Sequence, residues 1–279
     1  MAPLKWPVFL QTSRAHPAKN LELNHLSVKP LVLSPLQGLP LVQPGDDLPA
    51  LLLAALNRQN LSLAGGDIIV LAQKIVSKAE GRLVDLDTVE VTPRAQELAV
   101  QSQKDPRLVQ LILDESREVL RARPGLIVVE HRLGFVSANA GIDHSNVGES
   151  ENLVLLLPVD PDASAQNIRA ALETASGARL GVLVIDSHGR AWREGTVGVA
   201  IGVAGLPGVV DLRGRPDLFG RELRATGLGA ADELAAAAWL VMGQAGEGCP
   251  AVHARGFPYP LRQGSLAELL RPKERDEFR

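Results

Sequence analysis

The chain has 279 residues, a net charge of −3 and 46% hydrophobic residues, with aromatics only 3% of the chain. That supports one large domain or two small ones with a core of Leu, Val, Ile and Ala, and the mild negative charge offers nothing to nucleic acid or an anionic membrane surface. The single cysteine, Cys249, excludes an intramolecular disulfide and a cysteine-based zinc site and fits a reducing cytoplasm, while no apolar run approaches the roughly 18–20 residues of a membrane span.

Residues 1–30 show mixed polarity and no period, and read as an N-terminal extension without the apolar core of a signal peptide. Residues 31–33 read as a strand and 38–42 as an apolar loop or short strand. Asp46 or Asp47 then caps a helix over 48–56. A β-branched run at 67–72 predicts a buried strand that passes into a loop carrying Gln73, Lys74, Ser77 and Lys78. Thr92-Pro93 and Asp105-Pro106 open two helices, the second with Leu108, Leu111, Ile112 and Val119 near helical spacing. Residues 126–130 and 134–138 read as a hairpin, 153–158 as a buried strand, 163–176 as a helix stopped by Gly177, and 180–185 and 196–203 as strands. The longest helix is expected over 223–244, weakened at its start by Gly227 and Gly229, followed by a strand at 251–254 and a short helix at 265–270. Strands and helices mix without strict alternation, so the expected class is α+β with mixed or antiparallel sheets. The candidate loops fall on either side of a possible boundary near 140–160, which predicts interleaved lobes.

Two acidic segments carry the chemistry: Asn139-Ala140-Gly141-Ile142-Asp143-His144-Ser145-Asn146 and Asp186-Ser187-His188-Gly189-Arg190. Asp143 and Asp186 each follow an apolar run and are read as standing where a strand ends. Together they could converge on a hard cation such as Mg²⁺ or Mn²⁺, with Ser187 adding a hydroxyl; each could equally be an ordinary loop or cap residue. Zinc is disfavoured, because the six His show neither HxH nor HxxxH spacing. A Ser187/His188 nucleophile pair is disfavoured because no nucleophile elbow surrounds it. The glycines of residues 195–205 fit neither dinucleotide nor P-loop patterns and are compatible with close packing or bulges. Residues 243–248 (Gly243, Gln244, Ala245, Gly246, Glu247, Gly248) form either a phosphate-cradling loop or a plain glycine cap. Lys74, Lys78, Arg190, Arg193 and Arg221 are candidate phosphate partners, Lys78 foremost; Arg190 and Arg193 could as well form a surface ion-pair cluster around Trp192. A site of metal, phosphate and basic residues suits phosphoryl transfer or nucleotide-driven ligation.

At these residues the sequence resembles the coenzyme F420-0:L-glutamate ligases, the γ-glutamyl ligases of F420 biosynthesis. The resemblance runs through Gly38-Leu39-Pro40-Leu41, Gly45-Asp46-Asp47-Leu48, Val76-Ser77-Lys78-Ala79-Glu80-Gly81, Asn139-Ala140-Gly141-Ile142-Asp143, Asp217-Leu218-Phe219-Gly220-Arg221-Glu222-Leu223 and Met242-Gly243, in that order. It implies a cytoplasmic homodimer with a single catalytic domain over residues 31–279, without the nitroreductase-like domain that follows it in longer members. The implied activity is a GTP-dependent ligase that joins L-glutamate to the phospholactyl carboxylate of F420-0 through an acyl phosphate and adds further γ-linked glutamates in some members. Its implied cofactors are two divalent metal ions, Mg²⁺ or Mn²⁺, and K⁺. Position by position, the resemblance makes Asp143 and Asp186 ligands of the first metal, and Ser187 and Gln244 neighbours of the second, with Gln244 bringing no charge. Leu39, Pro40, Leu41, Val42, Gln73, Lys74, Lys78, Asn146 and the 243–248 loop match nucleotide-contacting positions, and Lys78 joins the metals in neutralising the triphosphate. The competing expectations are a glutamate ligase for another carboxylate-bearing cofactor and a nucleotide-binding protein without catalysis.

Overall fold

The computed structural model of the protein describes residues 29–148 and 150–276. The expected extension over residues 1–30 lies outside them except for its last two positions. The chain runs from strand β1 (Val32–Pro35) to helix α1 (Leu48–Arg58), which Asp47 caps by accepting from the Ala50 N–H at 3.0 Å. Strand β2 (Ile68–Ala72) passes directly into helix α2 (Gln73–Ala79). The expected loop after β2 is therefore a short helix, anchored by the buried Ile75 and Val76. Strand β3 (Leu83–Asp85) precedes helices α3 (Pro93–Ser102) and α4 (Pro106–Asp114), capped by Thr92 and Asp105 as their X-Pro pairs predict.

Helix α4 stops at Asp114, earlier than the apolar spacing suggests. The next segment is strand β4 (Ser116–Arg123), antiparallel to β5 (Leu126–His131), which pairs in turn with β6 (Val136–Ala138). Val119, which the helical spacing included, faces Val129 across the β4–β5 ladder; pairing with a long-range partner overrides the local period. Strand β7 (Leu153–Leu155) is shorter than expected and pairs with β3. Helix α5 (Pro161–Ser176) leads into the long hairpin of β8 (Gly181–Arg190) and β9 (Arg193–Ala204). Strands β10 (Val210–Asp211) and β11 (Gly227–Leu228) pair with each other before helix α6 (Ala230–Met242) and strand β12 (Ala251–Arg255). The helix expected from residue 223 begins only at Ala230. Gly227 lies in β11 and Gly229 takes the cap, so α5, with 16 residues against 13, is the longer helix.

The main sheet has the order β1-β12-β2-β8-β9, with β2 parallel to β8 and the other neighbours antiparallel, and smaller antiparallel sheets accompany it. This is a mixed α+β architecture. Residues 68–71 of β2 are fully buried. Ile69 and Leu71 pack with Leu52 and Leu56 of α1 and Leu172 of α5, whereas Ile68 and Val70 pack with Leu234, Ala235 and Ala238 of α6. A strand covered on both faces has no reason to alternate, and its sequence does not. Two glycines of β9 let the covering helices approach. A Cβ on Gly198 would lie 2.7 Å from the Ala235 carbonyl oxygen of α6, and one on Gly202 would lie 2.4 Å from that of Pro161 at the start of α5. A third apolar cluster joins α3 and α4 to β5 through Ala95, Val109, Ile112, Ile127 and Val129.

One feature of the sheet positions the site. The parallel ladder ends at the pair Ala72–Ile185, where β2 gives way to α2, but β8 continues to Arg190. Among the described residues, no strand pairs with the β2-side edge of β8 from Asp186 onward.

Candidate active site

Helix α2 lies beside that open edge. Gln73, its first residue, is 1% exposed, and Ser77 one turn later is fully buried. The Ser77 hydroxyl donates to Gln73 Oε1 at 2.8 Å, which leaves the Gln73 amide nitrogen to donate to Asp143 Oδ2 at 2.6 Å. Lys74 and Lys78 form the next pair one turn apart on the same helix. Lys74 Nζ is 3.0 Å from Asp143 Oδ2 and donates to the Ser145 carbonyl and hydroxyl at 3.1 and 3.3 Å. Lys78 Nζ donates to the Asn146 carbonyl at 2.8 Å. Burial and the charge of Lys74 lower the Lys78 pKa.

The Asp143 loop is held by backbone as well as side chain. Asp143 and Leu155 exchange both backbone hydrogen bonds, at 3.0 and 2.9 Å. Just before it, Asn139, Ala140 and Gly141 all have positive φ, at 50°, 54° and 66°. Asn139 Oδ1 accepts from the Ile127 N–H at 3.1 Å, which helps hold this left-handed run. Such backbone is rare outside glycine and collects at ligand sites. Burial raises the Asp143 pKa, as does the charge of Asp186, and these outweigh Lys74 and Gln73.

Asp186 is 6% exposed and lies within β8. The expectation that a strand ends there is corrected: what ends is the β2 neighbour and the apolar packing, while pairing with β9 continues through Ser187–Gly198 and His188–Val197. Strand alternation therefore places Asp186 and His188 on one face, and Ser187 on the other, with Gly198 on the α6 side. His188 Nε2 lies 3.2 Å from Asp186 Oδ2, and its ring packs on Phe135 with centroids 5.1 Å apart. Behind them, Phe135 stacks on the buried His131, which neighbours Glu115, and Glu115 binds Arg82 and Arg132.

The C-terminal loop joins from the other side. Asn146 Nδ2 donates to the Ala245 carbonyl at 3.2 Å, and the Ala245 N–H donates to Glu247 at 2.7 Å. Gln244 Oε1 accepts from the Thr196 hydroxyl at 3.2 Å, at the start of β9. Glu247 folds over Gly243, whose φ is 76°. Hydrogen bonds thus bring together Gln73, Lys74, Lys78, Asp143, Asn146 and the loop of Gln244, Ala245 and Glu247. Leu39, Pro40, Leu41 and Val42 lie in a loop adjoining the end of α2, where the Gly45 N–H donates to the Ala79 carbonyl; Val42 is buried and Leu41 is exposed. A cavity of about 350 Å³ elsewhere, between Arg117, Arg132, Asp160 and Leu270, includes none of these residues.

Among the described residues no group of three or more His, Cys, Asp and Glu is placed to hold a metal ion. The donors here are two carboxylates beside cationic side chains. That suits a hard divalent ion whose remaining ligands are phosphate oxygens and water. Sequence reasoning weighs His188 only as a zinc ligand or as half of a Ser187/His188 pair, both disfavoured, and gives Asp232 no role. Asp232 accepts from the Ala200 N–H at 2.9 Å, and burial raises its pKa. The overlooked signal is the Asp-x-His spacing, which places both side chains together on a strand but not in a loop.

The family model described as F420-0:Gamma-glutamyl ligase matches residues 38–256. The chain belongs to that family. It is 51% identical over 245 residues to the Coenzyme F420:L-glutamate ligase of Methanothermobacter thermautotrophicus, covering 87% of this chain and 96% of the relative. The ligase of the same name from Methanocaldococcus jannaschii is 46% identical over 214 residues, covering 77% and 85%. The one from Archaeoglobus fulgidus is 43% identical over 245 residues, covering 88% and 95%. This family member is a ligase. Among its described residues, no helix is long and apolar enough to cross a membrane.

Proposed function

We propose that the protein joins L-glutamate to the phospholactyl carboxylate of coenzyme F420-0 in a GTP-dependent reaction through an acyl phosphate. The observation that carries this reading is the convergence of Asp143, Lys74, Lys78 and Asn146 with the 243–248 loop beside the open edge of β8, with Asp186 near enough for its charge to act on Asp143, in a chain of this family. Its relatives are named for joining coenzyme F420 and L-glutamate.

Asp143 and Asp186 would hold the divalent ions. Those ions supply charge neutralisation for a triphosphate and its leaving group. Lys74 and Lys78 are already held one turn apart on a rigid helix. They would exchange their contacts with Ser145 and Asn146 for phosphate oxygens at little entropic cost. The lowered pKa of Lys78 makes a stabilising anion more valuable, because binding one restores its preference for the charged form. Backbone N–H groups of the 243–248 loop would cradle the rest of the nucleotide.

The acceptor carboxylate oxygen bonds to the γ-phosphorus, and the bond from that phosphorus to the GDP oxygen breaks. The glutamate amine then bonds to the acyl carbon, inorganic phosphate leaves with its bonding electron pair, and the amine loses a proton. The test is mass spectrometry of F420-0 incubated with the protein, L-glutamate, GTP and Mn²⁺. The expected product carries one glutamyl residue or a ladder of them. Phosphate release without a glutamyl adduct would move the activity to a different acceptor, and nucleotide binding with neither product would remove the ligase reading.

A further inference from the structure

We infer that Arg190 and Arg193, at the tip of the β8–β9 hairpin, bind the anionic stem of the acceptor: the phosphate of its phospholactyl group and the carboxylates of glutamyl units already added. This rests on the ligase reading above and gives the acceptor a place in it. Arg190 follows Asp186 and His188 at even spacing in β8, so its side chain leaves the strand on their face. Arg193 is its cross-strand partner, and paired residues share a face. The hairpin thus ends in two guanidinium groups on the Asp186 side. Four residues at about 3.3 Å each put the Arg190 backbone roughly 13 Å beyond Asp186, the scale of a short extended tail.

Like charges directly opposite each other in a ladder cost stability, so this pair needs a reason. Both arginines are exposed, and among the described residues neither forms an ion pair with an acidic side chain. Arg190 Nη2 donates to the Glu194 carbonyl at 3.0 Å, which occupies one of the two ends of its donor fork. A guanidinium fork matches carboxylate and phosphate oxygens two at a time. The proposed nucleotide partners, Lys74, Lys78 and the 243–248 loop, come from α2 and the end of α6. Gln244 of that loop accepts from Thr196, which stands opposite Gly189 on the α6 face of the hairpin. The two arginines stand on the other face and are left for the acceptor. An open cationic strip also suits a stem that lengthens with each glutamate, where an enclosed pocket would set one length.

The test compares the full-length wild type with the Arg190→Gln, Arg193→Gln double variant in steady-state kinetics and in calorimetric titration with F420-0. The double variant should raise KM for F420-0 at least about tenfold, with KM for GTP within about twofold. Arg121→Gln, which removes one charge from an exposed position of β4, should change neither KM. Added salt should raise the wild-type KM for F420-0 and move that of the double variant much less. An acceptor that already carries one glutamyl unit should bind the wild type more tightly than F420-0 does and lose that advantage in the double variant. The melting temperature should not fall, because the substitutions remove a like-charge pair. Arg193→Gln alone keeps the comparison valid if the double variant does not fold. A wild type that binds no F420-0 would overturn the ligase reading together with this one. Equal binding of F420-0 by wild type and double variant, or a rise in KM for GTP instead, would overturn the arginine assignment alone.

Discussion

Asp143 is held by groups that pull its proton affinity in opposite directions. Burial and the charge of Asp186 favour the neutral acid, while Lys74 and the Gln73 amide favour the carboxylate, and the first pair prevails. A folded protein tolerates that conflict where a ligand resolves it, as a cation held by Asp143 and Asp186 would. Asp143→Asn keeps an oxygen that can accept from Gln73 and Lys74 and removes the buried charge. We therefore expect Asp143→Asn and Asp186→Asn to lower kcat by about 10³-fold or more. The ligand-free Asp143→Asn protein should meanwhile melt no lower than wild type. Turnover assays and scanning calorimetry on the same preparations check both halves. Near-normal turnover in either variant would remove that residue from the chemistry. A collapsed melting temperature in Asp143→Asn would instead make its role structural.

Between elements, Glu115 is the junction that holds the β5–β6 turn against the main body. It stands between α4 and β4, accepts from Arg82 at 2.8 Å and from Arg132 at 2.7 Å, and lies 3.7 Å from His131. Burial would raise its pKa, but the nearby His131 ring and the hydrogen bonds from Arg132 and Arg82 outweigh burial and leave it at about 2, against 4.5 unperturbed. A depressed folded-state pKa means the stabilisation is complete above pH 4.5 and is lost as pH falls towards 2. Glu115→Gln should therefore destabilise the protein at neutral pH, by about 2–3 kcal/mol. Arg82 and Arg132 remain 20% and 30% exposed, so the loss falls short of that for a fully buried pair. Denaturant melts at a series of pH values should show the difference shrinking between pH 4.5 and 2. A gap that stays constant across that window would show that the carboxylate charge is not what Glu115 contributes.

Elements set by local chemistry could be read from the chain: caps at Asp47, Thr92 and Asp105, the stop at Gly177, and the doubly buried β2. Those set by distant partners could not, as β4 shows, because nothing in residues 116–123 announces the β5 strand they pair with. The extension of β8 past Asp186 was hidden for the same reason: its polarity reads as a loop, and only β9 makes it a strand. A loop there makes Ser187 the neighbour of Asp186 and leaves His188 only the disfavoured zinc and nucleophile roles. Strand alternation reverses that pairing.

At the scale of the whole molecule, the candidate site is not the property of one segment. Gln73, Lys74 and Lys78 come from α2, Asp143 and Asn146 from the loop before β7, Asp186 from β8, and Gln244, Ala245 and Glu247 from the loop that closes α6. The contacts that join them cross 70 residues between Gln73 and Asp143 and 99 between Asn146 and Ala245. A ligand seated there binds only the assembled fold, so its binding energy adds to the stability of the cooperative unit. With nucleotide and Mn²⁺ at 100 times their dissociation constant, linkage gives about 2.7 kcal/mol, or roughly 5–10 °C in melting temperature for a chain of this size. Removing the metal with a chelator should reverse most of the rise, and Asp186→Asn should never show it. Lys78→Ala should show a smaller rise with the metal response intact, because it removes a phosphate contact and leaves both carboxylates in place. If nucleotide and metal raised the melting temperature of Asp186→Asn as much as that of wild type, the ligand would be binding somewhere other than the open edge of β8.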